Sequence, residues 1–297
     1  MKMDSLNDLN HTKHLDDTIQ VYRALAIIAV VIIHTIPMGE WQVYCRPFVN
    51  FAVAMFLFLS GYLTHEKKEW APLYRRRISR VMIPYLIWST VYCLPKLVTG
   101  QFLGFLFQLG TGDAAYPFYY IFVYVQFVLF TPLIIRLAKS RYCFLGWCVT
   151  PIFIVCSIYV PRLTHCSLNI WQSIICKDIC LGWFCFYYLG LVLGNKGFGN
   201  NHNPVFKIIK NTSLLALVVL YILSLVFQMM EINYWLNFGI QNCGSQLNLT
   251  AIVSSVLFCA IAFRLLGKNF RIMHSRILTI IGDYSFGIYL SHVFVII

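Results

Sequence analysis

The chain has 297 residues, of which 59% are hydrophobic, 16% aromatic and only 11% charged, against roughly 25% charged in an ordinary soluble domain. That composition excludes a soluble enzyme. The net charge of +12 does not point to nucleic acid, because the basic residues fall in short clusters between long apolar runs instead of lining one solvated face. The pattern is that of an all-α, polytopic transmembrane helix bundle.

Residues 1–18 are polar and include Asp4, Asp8, Asp16 and Asp17. They read as a cytoplasmic tail with no removable signal peptide, because no small-residue cleavage pattern follows an apolar core. Residues 19–297 form the membrane domain. Apolar runs of about 20 residues predict nine spans, near 19–37, 47–63, 81–98, 116–138, 142–160, 178–194, 212–230, 248–267 and 279–297. The stretch QFLGFLFQLG at 101–110 is too short to cross and is expected to be interfacial or re-entrant, packed against protein. The last apolar run stops at Ile297 without a polar tail, so the natural chain either continues or ends in the bilayer.

Lys and Arg set the orientation, since cytoplasmic loops retain positive charge. Seventeen fall on one side: Lys2, Lys13, the group from Lys67 to Arg80, Arg136, Lys139, Arg141, Lys196, Lys207, Lys210, Lys268, Arg271 and Arg276. Four (Arg46, Lys96, Arg162 and Lys177) fall on the other, with Arg23 and Arg264 at span ends. The N-terminus is therefore expected in the cytoplasm. Of the eleven cysteines, Cys93, Cys143, Cys148, Cys156, Cys180, Cys185 and Cys259 lie in spans, where Cys behaves as a small apolar residue. Cys45, Cys166, Cys176 and Cys243 are on the outer side, where oxidation is possible. No metal-ligand spacing is present; His11, His14, His65, His165, His202 and His274 are assigned to loops or tails.

Ionisable groups inside spans are costly and mark function. The first span carries Arg23 and His34, and eleven residues at 100° each leave them about 20° apart on one helix face and about 16 Å apart along the axis. A snorkelling Arg and a hydrogen-bonded His would be the structural alternative for either residue alone. His34 is the group in this span able to exchange a proton near neutrality. The second span, FAVAMFLFLSGYL, ends in the small pair Ser60 and Gly61, suited to close helix packing or ligand access. In YRRRISRVMIP, Arg77 and Arg80 stand one helical turn apart ahead of Pro84; they suit either anchoring to anionic lipid or a bidentate phosphate clamp. Gln126 is read as an interhelical hydrogen bond, Gly190 and Gly194 as packing positions, Asp178 and Asp283 as solvated, and Tyr119, Tyr120, Trp147, Trp183 and Trp235 as an interfacial aromatic belt.

Taken in order, Arg23 and His34, FLFLSGYL, Arg77 and Arg80 ahead of Pro84, FYYLGLVLG near 186–194 and GDYSFGIYLSH near 282–292 resemble the acyltransferase 3 family of integral membrane acyltransferases that modify bacterial surface polysaccharides. The resemblance covers nearly the whole chain. It implies transfer of an acyl group, commonly acetyl, from cytoplasmic acyl coenzyme A to a hydroxyl of a sugar, glycan or lipid-linked saccharide in the bacterial inner membrane. It implies that Arg23 and His34 are the essential pair, that Arg77 and Arg80 meet the coenzyme, and that Tyr289 and His292 belong to the final helix motif; Ser60 is taken as a further substrate contact from the ligand access its small size allows. Where the family often has Trp, this chain has Phe118, Tyr119 and Tyr120. His34 is read as general base on the acceptor hydroxyl or as the site of a transient acyl-imidazole. The competing expectations are a transporter or flippase for a glycan intermediate, and the membrane module of a larger enzyme; no internal repeat of the transporter kind is visible.

Overall fold

The computed structural model describes residues 2–164, 178–195, 204–240, 242–266 and 275–296, with the main chain alone for 2–14 and 97. Cys166, Cys176, His165, His202, His274, Lys177, Lys196, Lys268 and Arg271, all assigned from sequence, lie outside the described residues. Every regular element among the described residues is helical. Five helices or helix pairs are long and apolar enough to cross a membrane: Leu15–Thr35, Trp41–Tyr62, Tyr116–Lys139, Leu145–Leu163 and Leu214–Asn237. The pair Arg276–Asp283 and Ser285–Ile296, bent by 77°, makes a sixth if counted as one span.

The difference from nine has local causes. The expected spans at 178–194 and 248–267 are apolar helices of fewer than 18 residues, Cys180–Gly194 and Leu249–Leu265. The expected third span belongs to a helix that starts at Ala71, so Arg75, Arg76, Arg77 and Arg80 occupy its first half. The tail predicted at 1–18 is the beginning of the first helix, which runs unbroken from Lys2 to Thr35.

The chain clusters into two compact units, one of residues 1–60 and 203–289, the other of 61–202 and 290–297. The first contains α1 (Lys2–Thr35), α2 (Trp41–Val49), most of α3 (Phe51–Tyr62), α10 (Pro204–Asn211), α11 (Leu214–Asn237), α12 (Leu249–Leu265) and α13 (Arg276–Asp283). Here α1 packs along α13, α11 pairs with α12, and α2 lies against both α1 and α11. Gly282 makes the first of these approaches possible: a Cβ there would come within 2.0 Å of the Gln20 carbonyl oxygen. Side chains close exposed helix ends. Ser213 Oγ accepts from the Ala216 amide at 3.1 Å, and the Arg264 guanidinium donates to the Ile209, Lys210 and Thr212 carbonyls at 2.7–2.8 Å, capping the end of α10.

The second unit contains α4 (Ala71–Val98), α5 (Phe102–Thr111), α6 (Tyr119–Lys139), α7 (Leu145–Ile154), α8 (Val160–Leu163) and α9 (Phe184–Gly194), and ends with the last turns of α14 (Ser285–Ile296). The short α5 folds back on α4, where Tyr85 OH donates to the Leu109 carbonyl at 2.6 Å, yet it fully buries none of its own side chains. Its ten residues coincide with the short apolar segment predicted at 101–110. Two glycines lock α3 to α9: a Cβ on Gly61 would meet the Tyr187 carbonyl at 2.2 Å, and one on Gly194 the Tyr62 carbonyl at 2.1 Å. Gly61 and Tyr62, at the end of FLFLSGYL, thus make one close contact with FYYLGLVLG. Gln126 has the bridging role expected of it, donating to the Asp178 carbonyl at 2.7 Å and accepting from the Cys180 amide at 3.1 Å.

Some readings are corrected. Trp183 and Trp235 are only 2% and 3% exposed; they are core residues, Trp183 stacked on Tyr119 and Trp235 donating to Glu231 at 3.2 Å. Trp41, Tyr44, Tyr116 and Tyr284 are among the exposed rings. Asp178 is half-buried with Oδ1 withdrawn from solvent, whereas Asp283 is exposed as predicted. Cys148 and Cys156 lie within the apolar helix Leu145–Leu163, as expected of span residues, and are exposed on it; Cys45 is a free thiol.

Candidate functional site

In the first unit, the unbroken α-helical geometry of α1 places Arg23 and His34 on the predicted common stripe. Between them on that stripe lie Ile27 and Val30, only 1% and 4% exposed. Ile28 and Ile32, on the opposite flank, are 38% and 40% exposed. The stripe therefore faces protein, and its two polar ends are half-buried. An isolated lipid-facing His or a freely snorkelling Arg would show the reverse pattern.

Arg23 Nη1 donates to Gln20 Oε1, one turn earlier, at 3.4 Å. Gln20 is also the residue whose main chain Gly282 touches, so the opening glycine of GDYSFGIYLSH braces the turn that carries Arg23. Beside it, Tyr22 OH donates to the Ala262 carbonyl on α12 at 3.2 Å, fixing the rotation of α1. His34 stands in the last turn of α1. Ser60, at the end of the first unit's share of α3, is half-buried. Tyr289 is buried in the first unit and stacks on Phe286 with ring centroids 6.3 Å apart. His292, equally buried, lies on the following turn of α14 and belongs to the second unit.

In the second unit, Arg77 and Arg80 are one turn apart on α4 but differ in setting. Arg77 is half-buried and its Nη1 donates to Thr64 Oγ1 at 2.7 Å. Thr64 is fully buried. Its hydroxyl is reached by Tyr187 OH at 3.4 Å, and Tyr187 OH shares a 2.8 Å bond with Thr131 Oγ1. Asn195 Nδ2 donates to the Thr64 carbonyl at 2.9 Å. Arg77 is thus the head of a hydrogen-bonded chain running from α4 through Thr64, just past the end of α3, to Tyr187 on α9 and Thr131 on α6. Arg80 is exposed. One guanidinium is fixed and the other extends into solvent, a combination suited to a fork that closes on an incoming polyanion.

Three residues with clear structural roles were not singled out from sequence. Thr64 and Tyr187 hold Arg77 through contacts distant in the chain. Glu231 on α11 accepts from the Thr250 amide at 3.1 Å and from the Thr250 hydroxyl, placing a carboxylate at the N-terminus of α12. An acidic residue inside the apolar run Leu214–Asn237 was the available signal for it. Phe118 is fully buried and meets Tyr85 and Tyr92 edge to face at 5.6 and 5.4 Å. Among the described residues no group of His, Cys, Asp and Glu could hold a metal ion.

A family model described as an acyltransferase domain matches residues 16–297. No curated protein matches the chain, and no solved structure matches it.

Proposed function

The chain belongs to the acyltransferase 3 family, and from that premise we propose that this membrane acyltransferase moves an acetyl group from cytoplasmic acyl coenzyme A to a hydroxyl of a sugar or cell-surface glycan. Its setting is the bacterial inner membrane, with the N-terminus in the cytoplasm. The seventeen-to-four asymmetry of Lys and Arg supports that orientation. About nine crossings follow if the short helices Cys180–Gly194 and Leu249–Leu265, the arginine-headed α4 and the bent α13–α14 pair all traverse the bilayer, shielded by neighbouring protein.

One observation carries the reading: the stripe of α1 bearing Arg23 and His34 is turned inward, with Ile27 and Val30 buried between them. In the proposed reaction Arg77 and Arg80 bind the phosphates of the donor, with Arg77 already held by Thr64. The imidazole of His34 takes the proton of the acceptor hydroxyl as that oxygen bonds to the thioester carbonyl carbon. The C–S bond then breaks, and the imidazolium returns the proton to the departing thiolate. The products are an O-acyl ester and free coenzyme A. A positioned base of this kind supplies about 10² to 10⁴ in rate. Arg23 stands about 16 Å from His34 along the helix axis, too far for contact, and acts on anionic charge independently. Ser60, Tyr289 and His292 are assigned to contacts with the substrates.

Purified protein incubated with acetyl-labelled coenzyme A and membrane glycan fractions tests this directly. Label is expected to appear on the glycan. Glycan movement across vesicles with all label left on the coenzyme would sink the proposal and favour a transporter.

A further inference from the structure

In the second unit, α4 is one helix from Ala71 to Val98 and carries two faces of different chemistry. One packs on protein: Tyr85 and Ser89 are fully buried, Tyr85 meets Phe118 and Phe122 edge to face at 5.6 Å, and Tyr92 meets Phe118 at 5.4 Å. The other face begins at Arg76. Taken at 100° per residue, Ile83, Ile87 and Leu94 fall within about 20° of Arg76, and Tyr85 stands about 180° from it. Exposure follows the same division: Arg76 is exposed, and Ile83, Ile87 and Leu94 are each about half exposed. Arg77, next in the chain but about 100° round the helix, is the guanidinium held by Thr64. Neighbouring arginines thus serve different surroundings.

Charge stops where the apolar part of this outward face starts. From Val81 to Pro95 no residue is charged, a run of about 22 Å along the axis. Arg76 lies about 10 Å from Ile83 and about 16 Å from Ile87, and the hydrocarbon of one leaflet is about 15 Å deep, half of the bilayer core. A lipid whose acyl chain lies on Ile83 and Ile87 therefore has its phosphate level with Arg76. The local field selects the headgroup. Residues 66–80 carry Lys67, Lys68, Arg75, Arg76, Arg77 and Arg80 against Glu66 and Glu69, and Glu66 is already engaged by Lys139. That excess favours an anionic headgroup over a zwitterionic one. Just ahead of Arg76, Trp70 and Tyr74 stack with ring centroids 6.2 Å apart, placing amphipathic rings at the level where a membrane surface holds them.

We propose that the outward face of α4 seats an anionic glycerophospholipid of the cytoplasmic leaflet, its phosphate on the Arg76 fork and an acyl chain along Ile83 and Ile87. The seat rests on the proposed orientation of α4 across the bilayer and not on the acyl-transfer chemistry. Arg80, about 40° from Arg76 and about 60° from Arg77, borders both and keeps the donor role given to it above.

The test uses the full chain with p-benzoylphenylalanine in place of Ile83, in nanodiscs of equal parts phosphatidylglycerol and phosphatidylcholine, irradiated and read by mass spectrometry. Lipid adducts are expected at residue 83, with phosphatidylglycerol preferred. Adding Arg76→Gln is expected to lower that preference about fivefold, the equivalent of about 1 kcal/mol for one basic residue at an anionic surface, while lipid adducts persist and the KM for acetyl coenzyme A keeps its wild-type value. Arg75→Gln, about 100° off the face, is expected to change the preference little. Equal labelling of the two lipids, or a preference that survives Arg76→Gln, would overturn the seat and leave the crossing of α4 standing. An equal drop in Arg75→Gln would assign the preference to the diffuse field and also overturn the seat. Absence of any lipid adduct at residue 83 would overturn the seat and the crossing together. A raised KM for acetyl coenzyme A in Arg76→Gln, with the lipid preference intact, would move Arg76 to the donor site and end the proposal. Acyl transfer enters none of the adduct readouts, so failure of the acyltransferase reading leaves the seat to stand or fall on its own.

Discussion

Gly282 lies so close to Gln20 that a Cβ on the glycine would fall 2.0 Å from the Gln20 carbonyl oxygen and 2.6 Å from its carbon. Main chain cannot yield as a flexible side chain can, so Gly282→Ala forces α13 away from α1. Overpacking of this kind costs about 1–3 kcal/mol, and it displaces the turn on which Gln20 accepts from Arg23. Lowered melting temperature and reduced transfer are expected together. Gly287, five residues on, has open space where its Cβ would be, so Gly287→Ala is the matched control and should leave packing unaffected.

Thr64 makes the hydrogen bond that fixes Arg77. Thr64→Val keeps the shape, removes the acceptor, and leaves Tyr187 its 2.8 Å bond with Thr131. If Arg77 binds the donor, the KM for acetyl coenzyme A rises about tenfold, in line with the loss of a bond to a charged group, while kcat changes little. A purely structural Thr64 would lower the melting temperature and leave KM alone, so steady-state kinetics with varied donor separates the two.

Arg264 closes the end of α10 through three carbonyls. Arg264→Met should therefore destabilise the first unit by about 1–3 kcal/mol, combining lost charge-assisted bonds with lost compensation of the helix dipole. Thermal unfolding in detergent reads this, and the KM for acetyl coenzyme A is expected to stay at the wild-type value.

The Lys139–Glu66 ion pair gives the opposite expectation. Both side chains are about half exposed, and pairs in that setting contribute about 0–1 kcal/mol. Glu66→Gln should leave the melting temperature and its salt dependence nearly unchanged; a large drop would show that the pair acts as more than a solvated contact.

What was legible in the sequence is what depends on local periodicity. Arg23 and His34 share a stripe because nothing interrupts the helix between them, and the short apolar run at 101–110 forms a helix of only ten residues, Phe102–Thr111. The small residues Gly61 and Gly194 signalled close packing, but their pairing with Tyr187 and Tyr62 is a long-range fact that spacing does not encode. The same holds for Thr64 and Tyr187 behind Arg77. Hydropathy is blind to direction, so the 77° bend at Tyr284 was hidden inside a continuous apolar run. Trp183 and Trp235 were misplaced because an aromatic belt is a compositional tendency, whereas each ring here is claimed by a specific neighbour, Tyr119 and Glu231.

The inward stripe of α1 gives His34 its proposed role, and His34→Ala tests that role most directly. Transfer of labelled acetyl from coenzyme A to membrane glycan should fall by about 10² to 10⁴, with membrane insertion, melting temperature and acetyl coenzyme A binding retained. Transfer at a near wild-type rate by a correctly inserted His34→Ala protein would contradict the assignment.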